Sequence, residues 1–188
     1  MWFIKNRDLI LEKKICIGIV ATSSAVGLTH TAILLYTYLS SFLKRKTAYI
    51  EMKDIGGFNT EKQNFFLNLS IAEIAYLKEK GYNYIIIDYG KLDSKNREDF
   101  LRCDIRIIMT SLSEWKINDF INLLEMEDKR ILDSYVFLHA FGEDKIKRKI
   151  ERRYKIDIVK ILYSQSPFVV TQENYKVLTS LVQRLSLF

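Results

Sequence analysis

The chain has 188 residues, 48% hydrophobic and 28% charged, which excludes an intrinsically disordered protein and fits one globular domain over residues 1–188. Only 7 glycines and 1 proline exclude collagen-like, linker-rich and low-complexity chains. Lys and Arg number 29 against 23 Asp and Glu, and the resulting +6 permits an anionic partner without requiring one.

Residues 15–43 carry no charged side chain, a length that could span a bilayer, and Lys13 and Lys14 before it resemble the start of a signal peptide. The stretch is interrupted, however. A short apolar run, 15–21, meets a polar block holding Thr22, Ser23, Ser24, Gly27, Thr29, His30 and Thr31, and a second apolar run, 32–39, follows. That order predicts a buried strand, a loop and a buried helix rather than a membrane span. Further strands are predicted over 47–51, 82–89, 105–110, 135–139 and 157–163. Several are continuously apolar, as strands covered on both faces are. Helices are predicted between and after them, over 29–43, 71–80, 113–126, 144–153 and 173–187. In the third, Ile117, Phe120, Ile121 and Leu124 recur at helical spacing, and Ser111 with Glu114 is expected to form a capping box. The alternation predicts an α/β fold, a mostly parallel sheet with helices on both faces, whose ligands sit at the carboxyl ends of the strands.

Cys16 and Cys103 both fall in apolar, strand-like runs, where a free thiol behaves as a small hydrophobe. Two such thiols point to a reducing, cytoplasmic setting rather than a disulfide framework. No Cys or His pair has metal-ligand spacing, which argues against a zinc site.

The loop after the first strand, 22–28, combines small residues, a Gly and a Thr at a helix start. This is the layout of a phosphate-binding loop, in which backbone N–H groups and a helix N-terminus converge on an anion. The segment resembles the deviant Walker A loop of the ParA/MinD-like P-loop ATPases, K-G-G-x-G-K-[ST]. Val26, Gly27 and Thr29 match that pattern. Ser23 stands at the signature Lys, Ser24 and Ala25 at two Gly, and Leu28 at the phosphate-binding Lys. The resemblance implies a three-layer, P-loop NTPase-like fold. Neither Ser23 nor Leu28 can neutralise phosphate as the family's lysines do, one of them across a dimer. If the loop still binds a nucleotide, its residues are Ser23, Ser24, Ala25, Gly27, Leu28, Thr29 and His30, and the implied ligands are ATP and Mg²⁺. A degenerate loop needs no cofactor.

The resemblance continues along the chain. Glu51 and Lys53 stand at the two positions of the family's Asp-x-Asp pair, with Asp54 one residue beyond. Asp88 stands at the Mg²⁺-linked acid of the Walker B strand, so Thr29, Glu51 and Asp88 are the candidate Mg²⁺ ligands. Its plainer reading is a strand-terminating acid or a helix cap. Likewise Thr29 could simply make a local hydrogen bond at its helix start. His139 replaces a base-contacting Asn, and a satisfied structural His is the alternative. Skeleton kept and chemistry lost implies a catalytically degenerate pseudo-ATPase acting as a protein-interaction or localisation platform. The narrower resemblance is to the CpaE/TadZ-like branch, whose role is localising pilus-assembly machinery. Its implied partners are another protein or a second copy across the loop. A nucleotide-binding switch, or a weak ATPase with a remodelled loop, is the alternative.

Lys145, Arg148, Lys149 and Arg152 form one helical stripe, opposite Ile146 and Ile150. Asp144 with Arg148 and Lys147 with Glu151 are expected i, i+4 pairs. The stripe is either a solvated face or a contact for nucleic acid, acidic protein or anionic lipid; a DNA-binding module is the third functional reading. No aromatics interleave the cations, which disfavours single-strand stacking. Near the end, Tyr175, Leu178, Leu181, Val182, Leu185 and Phe188 form an apolar stripe. MinD-like relatives carry a C-terminal membrane-targeting helix, but here only Lys176 and Arg184 accompany the stripe, so it is expected to pack on the sheet. The apolar start, Met1, Trp2, Phe3 and Ile4, could cover an edge or a partner.

Overall fold

The continuous apolarity of the first strand has its cause in the middle of a parallel sheet. In the computed structural model, which describes residues 14–52 and 64–185, β1 (Ile15–Ala21) is buried along its whole length. The loop 22–28 leads into α1 (Leu28–Thr37), and β2 (Thr47–Glu51) and β3 (Phe65–Leu67) follow. Next come α2 (Ile71–Glu79), β4 (Tyr84–Lys91), α3 (Arg97–Leu101) and β5 (Ile105–Leu112). The chain then forms α4 (Ile117–Met126), α5 (Lys129–Leu132) and β6 (Tyr135–Gly142), then α6 (Asp144–Tyr154), β7 (Ile158–Lys160) and α7 (Gln172–Leu185). Among the described residues the strands form one sheet of seven in the order β3-β2-β4-β1-β5-β6-β7, with every pairing parallel. From β1 the chain moves toward β2, and from β5 it moves the other way, so their carboxyl ends flank a switch point.

Side chains of β1 alternate between two cores. Ile15, Ile17, Ile19 and Ala21 meet α1 and α7, with Leu34, Leu35, Leu178 and Leu181 in the same cluster. Cys16 and Val20 meet the opposite layer, with Leu77, Phe100, Phe120 and Ile150 from α2, α3, α4 and α6. The three-layer α/β architecture is therefore present. Leu178 and Leu181 are buried, so α7 packs on the sheet as its stripe predicts. No helix among the described residues is long and apolar enough to cross a membrane. Met1 to Ile4, Lys13, Lys53, Asp54 and Phe188 lie outside the described residues.

Several boundaries differ from the sequence-based expectation. The helix expected over 29–43 is α1 followed by a π-helical turn, Tyr38–Phe42. Hydroxyls compete with the backbone there: Thr37 Oγ1 donates to the Ile33 carbonyl at 2.9 Å and Ser40 Oγ to the Tyr36 carbonyl at 2.7 Å. The capping box at Ser111 and Glu114 does not form. β5 runs through Ser111, whose hydroxyl bonds Ser113 Oγ at 2.9 Å, and α4 begins only at Ile117. A capping box does form at α2, where Ser70 Oγ accepts from the Glu73 amide and Glu73 accepts from the Ser70 amide. β7 stops at Lys160 because the buried Asn174 side chain takes over beyond it. Its Oδ1 accepts from the Leu162 amide at 3.1 Å and its Nδ2 donates to the Leu162 carbonyl at 2.8 Å.

Gly18 faces the α3 layer at the centre of β1. A Cβ there would lie 2.8 Å from Cys103 Sγ and 2.9 Å from a Phe100 ring carbon. Gly18→Ala is expected to lower stability by about 1–3 kcal/mol through overpacking, read as a lower midpoint in urea unfolding with an unchanged m-value.

Candidate functional site

The loop 22–28 sits at the carboxyl end of β1, and its shape depends on two left-handed residues. Gly27, preceding α1, has φ +86°, and Ala25 has φ +53°. Ala25 takes this conformation despite its Cβ, so losing the pattern's glycine has not prevented the turn. Ser24 and Ala25 are exposed, while Ser23 is buried with no hydrogen-bond partner for its Oγ among the described residues. Leu28 points inward and is only 8% exposed, packed with the α1 core. The place where a lysine would meet phosphate is thus occupied by a core side chain.

A lysine does reach the loop, from elsewhere. Lys116, in the turn before α4, donates from Nζ to the Ser24 carbonyl at 2.6 Å and the Ala25 carbonyl at 3.0 Å. Its neighbour Trp115 is 93% exposed. Sequence spacing gave no sign of Lys116. Only the adjacency of β5 to β1 brings the two loops together.

Thr29, the second residue of α1, has its Oγ1 donating to Asp88 Oδ2 at 2.7 Å, a contact spanning 59 residues rather than a local one. Asp88 is 1% exposed and lies within β4, three residues before its end, so it neither terminates the strand nor caps a helix. Tyr49 Oη also donates to Asp88 Oδ2, at 3.3 Å, and the Gly90 amide donates to Oδ1 at 2.9 Å. Glu51 is buried and stands opposite Asp88 in the β2–β4 register, so both carboxylates are on the same face of the sheet. Tyr49 was legible in principle: two residues before Glu51, it shares that face. Burial pushes the Asp88 pKa above the usual aspartate range, and the bonds from Thr29, Gly90 and Tyr49 pull against that rise. Burial and the Asp88 and Glu51 charges push the Tyr49 phenol up as well.

His30 turns away from the loop. Its Nε2 lies 3.0 Å from Ser164 Oγ and its ring stacks on Tyr163 at 5.5 Å, tying α1 to the segment after β7. His139 is fully buried on β6, with the Phe141 backbone beside its ring. Burial lowers its pKa and keeps the ring neutral.

Oxygen donors from Thr29, Glu51 and Asp88 suit a hard cation such as Mg²⁺. Among the described residues no group of three or more His, Cys, Asp or Glu side chains could hold a metal, so the ion would need water or phosphate to complete its shell. For the phosphates themselves the fit is poor: Leu28 is apolar, and Lys116 is engaged by the loop's own carbonyls.

The basic stripe is displayed as expected. Lys145, Arg148, Lys149 and Arg152 are exposed along α6, while Ile150 is buried. The Lys147–Glu151 pair forms at 3.0 Å. Asp144 does not pair with the Arg148 guanidinium as expected; it meets Lys160 of β7 at 3.1 Å, while Arg148 Nε donates to the Asp144 carbonyl.

No family model matches the chain, and no curated protein matches it by sequence. Solved structures do. A chain of the MinC:MinD cell division protein complex of Aquifex aeolicus superposes with a TM-score of 0.67 at 14% identity, over 93% of this chain and 96% of that one. The fold is that of the MinD and ParA ATPases. A ParA family ATPase from Chlorobium tepidum TLS gives a TM-score of 0.58 at 15% identity, over 92% of both chains. A plasmid partition protein of Borrelia burgdorferi B31 bound to AMPPNP gives 0.60 at 16% identity, over 92% of this chain and 99% of that one.

Two outcomes test this geometry. Asp88 holds its proton more tightly folded than unfolded, so it weakens the fold as pH rises through the interval above the ordinary aspartate value. Asp88→Asn should therefore raise Tm at pH 7, with the gain shrinking toward zero as pH falls below about 4. Lys116→Met removes both loop bonds, a loss of about 1 kcal/mol, and hydrogen exchange should speed up at the amides of residues 22–28 more than in β1.

Proposed function

We propose that this chain is a catalytically degenerate protein of the ParA/MinD-like fold, acting as a protein-interaction or localisation platform. The observation that carries this reading is the loop at the end of β1. Leu28 is buried in the core where a phosphate lysine would stand, and the carbonyls of Ser24 and Ala25 face the Lys116 ammonium. A phosphate loop needs the opposite polarity, with N–H groups and cations turned toward an anion. Without them most of the stabilisation of a phosphoryl-transfer transition state is missing. A protein partner is supported by the structural similarity to the MinC:MinD complex, itself an assembly of two proteins. Localising a pilus-type or secretion machine, as in the CpaE/TadZ-like branch, is the narrower form of the same reading.

A non-hydrolysing nucleotide switch is the second reading, and the Thr29–Asp88 contact beside Glu51 favours it. Such a cluster could seat Mg²⁺ carried in by a nucleotide. One titration separates the two. For a platform, Mg-ATP, Mg-GTP and their diphosphates should leave Tm unchanged and no phosphate should be released above the buffer rate. A saturable rise in Tm that is lost in Thr29→Val would select the switch. Steady hydrolysis of ATP, abolished by Leu28→Glu, would overturn both.

A further inference from the structure

Cys16 and Cys103 are 87 residues apart in the chain, yet their sulfurs lie 3.7 Å from each other. Both are buried, Cys16 near the start of β1 and Cys103 in the turn entering β5. The Cys16 amide donates to Asp104 Oδ2 at 2.8 Å, which pins the two segments side by side. Tyr89 Oη lies 3.7 Å from Cys103 Sγ, and the Asp99 carbonyl accepts from that thiol at 3.6 Å. The absent side chain of Gly18 leaves the space into which Cys103 Sγ projects. Both cysteines also line a cavity of about 160 Å³, bordered by Lys78, Asp99 and Arg102. That is room for several molecules the size of water.

We propose that Cys16 and Cys103 form a redox pair, closing to an intramolecular disulfide when a small peroxide enters this cavity. The pair is polarised for such chemistry. The Cys16 thiol donates toward Cys103 and, with Tyr89 and the Lys78 charge, holds the Cys103 pKa below its usual range against the opposing pull of burial and the Asp104 charge. The same contact, with burial, pushes Cys16 up. The Cys103 thiolate attacks one peroxide oxygen, the O–O bond breaks, and sulfenic acid forms as hydroxide leaves. Cys16 sulfur then attacks the Cys103 sulfur, its proton combines with the departing hydroxide, and water is released. Two thiols and one hydrogen peroxide become one disulfide and two waters; sulfur loses two electrons and the peroxide gains them. The sulfurs need to approach from 3.7 Å to about 2.05 Å. The bond would link the start of β1 to the entry of β5, at the end of the sheet opposite the loop 22–28.

The chain holds only these 2 cysteines, so thiol counting is unambiguous. The reduced full chain is treated with a few equivalents of hydrogen peroxide, then denatured and analysed by thiol titration, intact mass and non-reducing gel. Both thiols should disappear in the monomer, with a mass decrease of about 2 Da and a Tm rise of roughly 5–15 °C, all reversed by dithiothreitol. Cys16→Ser should stop at Cys103 sulfenic acid, trapped by dimedone, and Cys103→Ser should form none at Cys16. The proposal is overturned if both thiols survive in the parent chain, if sulfinic acid accumulates without a cross-link, or if cross-links join only different chains.

Discussion

Every residue of β1 is buried, and the strand is bonded on both edges, by β4 on one side and β5 on the other. The remaining architecture follows from that double enclosure. A strand with two covered faces requires a helical layer on each, and α1 with α7 supply one while α2, α3, α4 and α6 supply the other. It also fixes where the chain must exit. The loop 22–28 leaves β1 between two neighbours that themselves end in loops, which is how Asp88 of β4 and Lys116 after β5 come to meet residues of the β1 loop and α1. The site is assembled by the order of the strands more than by any one segment.

Two buried titratable groups at the carboxyl ends of the strands illustrate a balance between burial and bonding. Asp88 carries three donated hydrogen bonds, yet removal from water still dominates its titration. His139 shows the same dominance of burial: its pKa is lowered by removal from water, against the backbone hydrogen bond at Phe141.

Much of the fold was legible in the sequence because its signals were local. Ile-rich, largely apolar runs marked β1, β4 and β5, and the 47–51 strand has the expected bounds. Errors fell where a distant group intervened. Asn174 ends β7 early, Ser111 belongs to β5 rather than to a helix cap, and the short β3, α3 and α5 carry too few residues for a periodic signal. At the candidate site, Thr29, Glu51 and Asp88 were singled out by their positions in the pattern, and the structure brings Thr29 and Asp88 into contact, with Glu51 opposite Asp88 in the register. Tyr49 could have been added from strand alternation alone. Lys116 could not, because its relevance depends on which strand neighbours β1. The proximity of Cys16 and Cys103 was hidden for the same reason.

Lys116 also occupies the N-cap position of α4, and it makes no side-chain bond to that helix. A capping side chain there would satisfy an amide of the first turn and contribute about 1 kcal/mol to the helix. The ammonium instead serves the carbonyls of Ser24 and Ala25. One residue thus joins the start of α4 to the conformation of a loop more than ninety positions earlier in the chain. Linkage makes such a connection run both ways. A molecule that gripped the first turn of α4 and moved residue 116 would release the loop, and one that reshaped the loop would alter the fraying of α4.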